Sequence, residues 1–114
     1  MNRSIQEPII VYEHGDVLVF TEKGKAESYL EPVDVLNNEY VAYDSTGLVL
    51  KLRVVDEPVE HVVIGVDGPP ERQPELLTSI LRRFFSKIGI EQRWIAGTSL
   101  PELVERALEF KMDW

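Results

Sequence analysis

Past Val66 the spacing of apolar residues turns helical and stays so, and that change limits the fold more than any other feature. Up to Val66 the apolar residues come in short runs that suit extended strands: Ile9 to Tyr12, Val17 to Phe20, Glu39 to Tyr43, Leu48 to Val55 and Val59 to Val66. From Pro74 onward they recur every three or four residues, the period of a helix with one buried side. The links Glu13-His14-Gly15-Asp16 and Asp44-Ser45-Thr46-Gly47 are rich in turn-forming residues. Links this short reverse the chain directly, whereas a parallel crossover takes a dozen or more residues. The expected fold is therefore α+β: a single domain over 1–114, with an antiparallel sheet of about five strands in the order β-β-α-β-β-β-α-α, packed against helices on one face.

Three helices are expected. The first covers EKGKAESYL (22–30), with Thr21 as its N-cap and Ala26, Tyr29 and Leu30 on one stripe. Gly24 weakens it by up to ~1 kcal/mol relative to Ala, so it must lean on packing. It stops before Pro32, and PVDVLNN reads as a link. The second spans Pro74 to Ile88, with Leu76, Leu77, Ile80, Leu81, Phe84, Phe85 and Ile88 on its apolar face and Gly89 ending it. Arg82, Arg83 and Lys87 lie toward its C-terminal end, where cations complement the helix dipole. The third opens at Ser99-Leu100-Pro101-Glu102, which has capping-box spacing with Pro in the first turn, and buries Leu100, Leu103, Val104, Ala107 and Leu108.

A chain of 114 residues can bury roughly two-thirds of its unfolded surface, enough for a core without staples. It has no cysteine, which removes disulfides and thiolate chemistry, and MNRSIQEPII has no signal-peptide core. No apolar run approaches a membrane span. A cytoplasmic location is expected. The net charge of −8 should repel nucleic acid and anionic lipid and attract a basic partner. Residues 1–60 carry 5 Lys/Arg against 12 Asp/Glu, while residues 61–114 carry 7 against 8, so the acidity lies almost entirely in the first half.

Residues that could carry catalysis are few. His14 stands beside Glu13 and Asp16, a grouping that loosely suggests a metal site but reads as an exposed turn histidine. His61 alternates with Val59 and Val63 and has no assignable nucleophile. Asp67-Gly68 and Asp44-Ser45-Thr46-Gly47 lack the alternating acids and distal Glu of a calcium loop, and Gly65-Val66-Asp67-Gly68 lacks the spacing of a phosphate loop. No catalytic residue, cofactor or metal is expected. Binding is what remains, through the acids Glu27, Glu31, Asp34, Glu39 and Asp44, whose other reading is solubility, and the aromatics Tyr29, Tyr40, Tyr43, Trp94 and Trp114, for each of which core packing is the better reading. Of these, Glu27, Glu31, Asp34, Glu39, Tyr43 and Asp44 are the expected partner-binding set.

The segments GDVLVF (15–20), KAESYLEPVDV (25–35) and EYVAYDSTGLVLKL (39–52) resemble small acidic bacterial proteins that look like immunity proteins of polymorphic or contact-dependent toxin systems. The resemblance implies a cytoplasmic inhibitor that binds a secreted toxin domain, usually a nuclease, and blocks its active site or substrate approach. Under it, Glu31, Asp34, Glu39 and Asp44, with Tyr43, meet the toxin's basic groups. The alternative is a non-catalytic interaction or regulatory module, possibly a homodimer using an exposed sheet face or edge, because the run from Leu48 to Val55 has apolar residues on both sides.

Overall fold

The computed structural model describes residues 5–112. It has five strands, β1 (Ile9–Glu13), β2 (Asp16–Phe20), β3 (Val41–Tyr43), β4 (Val49–Val55) and β5 (His61–Gly65). Five helices accompany them: α1 (Lys23–Tyr29), α2 (Pro32–Leu36), α3 (Pro74–Lys87), α4 (Gln92–Gly97) and α5 (Leu100–Ala107), the last continued by a 3-10 turn at Leu108–Phe110. The strands form one antiparallel sheet in the order β2-β1-β3-β4-β5. The fold is α+β, as the short links require.

The first hairpin pairs Ile9 with Phe20 through to Glu13 with Asp16, so its turn is only His14-Gly15. Both residues have positive φ, 47° and 95°, the signature of a tight turn whose twist matches that of the strands. In β1, Ile9, Ile10 and Val11 are all fully buried, which is possible only if both sheet faces are covered. They are. Ile9 and Val11, with Phe20, Ala42, Leu50, Val62 and Ile64, meet Ala26 and Leu30 of the α1 segment. On the opposite face Ile10, Val19 and Tyr43 meet Leu77, Leu81, Phe85, Leu103 and Ala107 of α3 and α5. The expectation of helices on one face is therefore corrected. The run Ile9-Ile10-Val11, without polar alternation, was the local sign of it.

Both outer edges of the sheet are occupied. The β5 edge offers the Ile64 N–H, which donates to Glu27 Oε2 of α1 at 2.8 Å, and Lys23 Nζ lies 3.1 Å from the same oxygen. On the β2 edge the Met112 N–H donates to the Val19 carbonyl at 2.7 Å, and Val19 bridges to Lys111 in parallel. Each edge is thus blocked at one point, which hinders pairing with another chain along it. Helix α1 touches both outer strands, so the sheet curls around it.

Several expected boundaries shift. The N-cap of α1 is Glu22, not Thr21, and the first free amide, at Lys23, donates to the distant Glu7 carboxylate at 2.7 Å. Ala26 and Leu30 are buried as expected, but Tyr29 is 49% exposed, its ring tilted 53° to that of Phe20 with centroids 5.3 Å apart. PVDVL is not a link but the helix α2, which opens with Pro32 and carries Asp34 in its first turn. Helix α4 was not expected at all. The third strand starts at Val41 and the fifth at His61, leaving Val59 68% exposed. On α3, Leu77, Ile80, Leu81 and Phe85 face the core, while Leu76 and Ile88 are 48% and 42% exposed. At α5 the capping box forms: Glu102 Oε1 accepts from Ser99 N at 3.3 Å and from Ser99 Oγ at 2.8 Å. Leu103, Val104 and Ala107 are buried there, with Leu100 and Leu108 half-buried.

Candidate functional site

The six residues expected to bind a partner separate into two groups. Asp44 is 1% exposed and organises the β3–β4 turn from inside. Its Oδ1 accepts from Thr46 N, Thr46 Oγ1 and Leu48 N at 2.9, 2.7 and 3.0 Å, and its Oδ2 accepts from Gln6 N at 3.0 Å. Tyr43 is 2% exposed, in the core under α3 and α5, and burial raises its hydroxyl pKa above the usual value of 10. Glu27 is committed to the β5 edge. None of the three is free to meet another protein, because folding has already used its polar or apolar surface.

Glu31, Asp34 and Glu39 remain at the surface, and the fold brings a fourth carboxylate, Glu13, toward them. Helix α2 places Glu31 at its N-cap and Asp34 in its first turn, where carboxylates suit the helix dipole. The Tyr40 hydroxyl donates to Asp34 Oδ2 at 3.2 Å. Burial first, then the hydrogen bond to Asp34 and the negative charges of Asp34 and Glu13, push the Tyr40 pKa up to about 12; a backbone hydrogen bond from Glu31 works in the opposite direction. Tyr40 thus stays a neutral donor that orients Asp34. Across the β1–β2 turn, His14 Nε2 contacts Glu39 Oε1.

The sequence reading missed two members of this surface, Val33 and Leu36, which are 57% and 65% exposed. They lie three residues apart on α2, hence on one side of it, while Val35 packs on the core beneath. The Pro-x-Asp pattern at the start of PVDVL was the available signal, and reading it as a link hid the pair. The surface is thus two bare aliphatics on a short helix with carboxylates beside them. The arrangement suits a positively charged, partly apolar surface.

The remaining candidates lie elsewhere. His61 Nδ1 hydrogen-bonds the Val59 carbonyl at 2.7 Å. Trp94 is half-buried, with the Arg106 guanidinium 5.0 Å above its ring and Phe85 at its edge. Trp114 lies outside the described residues. Among the described residues, no group of three or more His, Asp or Glu converges as a metal site, and no helix is long and apolar enough to cross a membrane. No protein-family model, curated protein or solved structure matches the chain.

The His14–Glu39 contact gives a pH prediction. The hydrogen bond to Glu39 and then its charge, with Glu13 adding a smaller contribution, raise the His14 pKa above 6.5. A raised pKa in the folded state means that the contact stabilises fully below 6.5 and loses that contribution as pH rises through the folded-state value. The ring signals of His14, followed by NMR, should titrate above 6.5 in the native chain and return toward 6.5 in Glu39→Gln. Identical midpoints in the two proteins would refute the coupling.

Proposed function

We propose that this protein is a cytoplasmic immunity protein that binds and neutralises a bacterial toxin domain with a basic, nuclease-like surface, through the face formed by α2 and the β1–β2 turn and without chemistry of its own. The observation that carries the proposal is the placement of Val33 and Leu36, exposed on one side of α2, beside Glu31, Asp34 and Glu39. Each supplies what the other lacks. Burying the two aliphatics contributes affinity at ~25 cal/mol per Å² of apolar area. The carboxylates contribute approach rate, orientation and rejection of acidic proteins. Nuclease domains need cationic surfaces for phosphate, and a rigid acidic face can occupy such a surface in place of nucleic acid. The resemblance of residues 15–52 to immunity proteins and the acidity of residues 1–60 support the same reading.

The homodimer reading loses its main grounds. Leu48 and Leu50 are buried under α1 and α2, Val49 packs on the opposite core, and each sheet edge is blocked at one point. A two-fold pairing through α2 itself would set one acidic patch against another, since an isologous interface uses the same patch on both copies.

The test is co-expression with candidate toxin domains encoded beside its gene. The native chain should protect cells and form a stoichiometric complex whose association slows with salt. The triple variant Glu31→Lys, Asp34→Lys, Glu39→Lys should weaken that complex at least 100-fold and abolish protection while keeping its circular dichroism spectrum. Full protection by the folded triple variant, or none by the native chain, would remove the proposal.

A further inference from the structure

Positive charge in this acidic molecule is as segregated as negative charge. Residues 76–101 hold four Lys/Arg (Arg82, Arg83, Lys87 and Arg93) and one acid, Glu91, while the rest of the chain holds eight Lys/Arg against nineteen Asp/Glu. Three of the four cations line an open groove of about 690 Å³ between α3 and α4. We propose that this groove is a binding site for a small phosphate-bearing ligand, separate from the acidic face on α2.

Helical spacing builds the site. Ser79, Arg82, Arg83, Ser86 and Lys87 fall at i, i+3, i+4, i+7 and i+8 on α3 and so form one stripe, which Gln92 of α4 faces over a floor of Ile95 and Ala96. The lining is made of three cations, two hydroxyls and an amide, and it contains no carboxylate. That set suits a compact group with several acceptor oxygens and two or more negative charges, because guanidinium forks match phosphate oxygens two at a time.

Two details show that the donors are positioned rather than scattered. Arg82 NH2 donates to the Thr98 carbonyl at 3.1 Å, which ties its guanidinium across the groove to the end of α4, and its Nε is buried with no hydrogen-bond partner. Gln92 Nε2 donates to Ser86 Oγ at 2.5 Å, which leaves the Ser86 hydroxyl proton available to a ligand.

Competing acids are weakly placed. Asp16 lies 3.5 Å from Lys87 Nζ, but both side chains are mostly exposed, so the pair exchanges readily for a ligand. Glu75 lies beyond the Ser79 end of the stripe, next to Arg82. A long polyanion is disfavoured, because outside the groove it meets a surface dominated by carboxylates. A small ligand confined to the groove avoids that repulsion.

Calorimetric titration of the full chain with inorganic pyrophosphate, at fixed ionic strength set with chloride, tests the proposal. Saturable one-site binding is expected, together with a rise in Tm. Arg83→Gln/Lys87→Gln changes two exposed side chains, leaves the core intact, and should weaken binding at least tenfold. Arg82→Gln should weaken it further if the fold holds. Lys51→Gln/Arg53→Gln, on exposed positions of β4, should stay within twofold of the native chain. Absence of saturation, equal weakening by the β4 pair, or a 12-nucleotide single strand binding tighter than pyrophosphate would each overturn the proposal.

Discussion

Replacing Asp44 with alanine is expected to destabilise the protein by about 3–4 kcal/mol and to lower Tm by roughly 10–15 °C. One carboxylate accepts four hydrogen bonds here, three of them from backbone amides. Leu48 N is buried and has no access to water once the acceptor is gone, whereas the amides of Gln6 and Thr46, on exposed residues, recover part of their loss. The total is therefore smaller than four full penalties. Asp44→Asn isolates one contact: its amide oxygen can serve Thr46 and Leu48, but its NH2 then opposes the Gln6 N–H. We expect it to cost about 1–2 kcal/mol. Urea unfolding followed by far-UV circular dichroism measures both. A loss below about 1 kcal/mol for Asp44→Ala would mean that the turn does not depend on this carboxylate. The substitution also separates two roles, since a turn-organising Asp44 changes stability while the folded fraction keeps its affinity for a partner.

The second large effect is expected at Gly47, in the same turn. It has a φ of 91°, and a Cβ there would lie 2.6 Å from Pro74 Cα and 2.8 Å from Pro74 N. Those are backbone atoms at the start of α3, and they cannot rotate away. The approach is locked by the Gln73 N–H donating to the Gly47 carbonyl at 2.8 Å and by the Val49 N–H donating to the Glu71 carbonyl at 2.8 Å. Gly47→Ala should cost about 3–4 kcal/mol, the sum of a left-handed backbone in a non-glycine residue and overpacking against a fixed neighbour. Gly15→Ala is the control, because its φ is 95° and nothing lies within 4 Å of the added Cβ, so only the backbone strain remains, about 1–2 kcal/mol. If the two substitutions cost the same, the contact with Pro74 is not tight. Asp44→Ala and Gly47→Ala share one turn, so their combined effect should fall short of the sum.

Both residues explain why the acidic stretch could not be sorted by inspection. Asp34 and Asp44 have the same side chain and lie ten residues apart, yet one stays at the surface beside Tyr40 and the other is sealed inside a turn. Asp44 is held by its own turn through Thr46 and Leu48, and it is sealed by Gln6, 38 residues away, as Glu27 is held by Ile64, 37 away. Long-range donors of this kind leave no local periodicity. The aromatics divide in the same way: Tyr29 is exposed and Tyr43 buried because one flanks its helix stripe and the other points from β3 into the core under α3.

What the sequence by itself determined was whatever short-range geometry enforces. The hairpin turn at His14-Gly15, the antiparallel order implied by short links, the long apolar face of α3 and the Ser99–Glu102 cap of α5 all follow from residues within a few positions of one another. Tertiary structure alone decided the rest. The five- and six-residue helices α2 and α4 are too short to be stable in isolation and form only where the folded chain supports them. Which carboxylates end in water and which end on buried amides was settled by the sheet's closure around α1 and the docking of α3 on the β3–β4 turn, because a charged group keeps its solvent only where no nearer donor has replaced it.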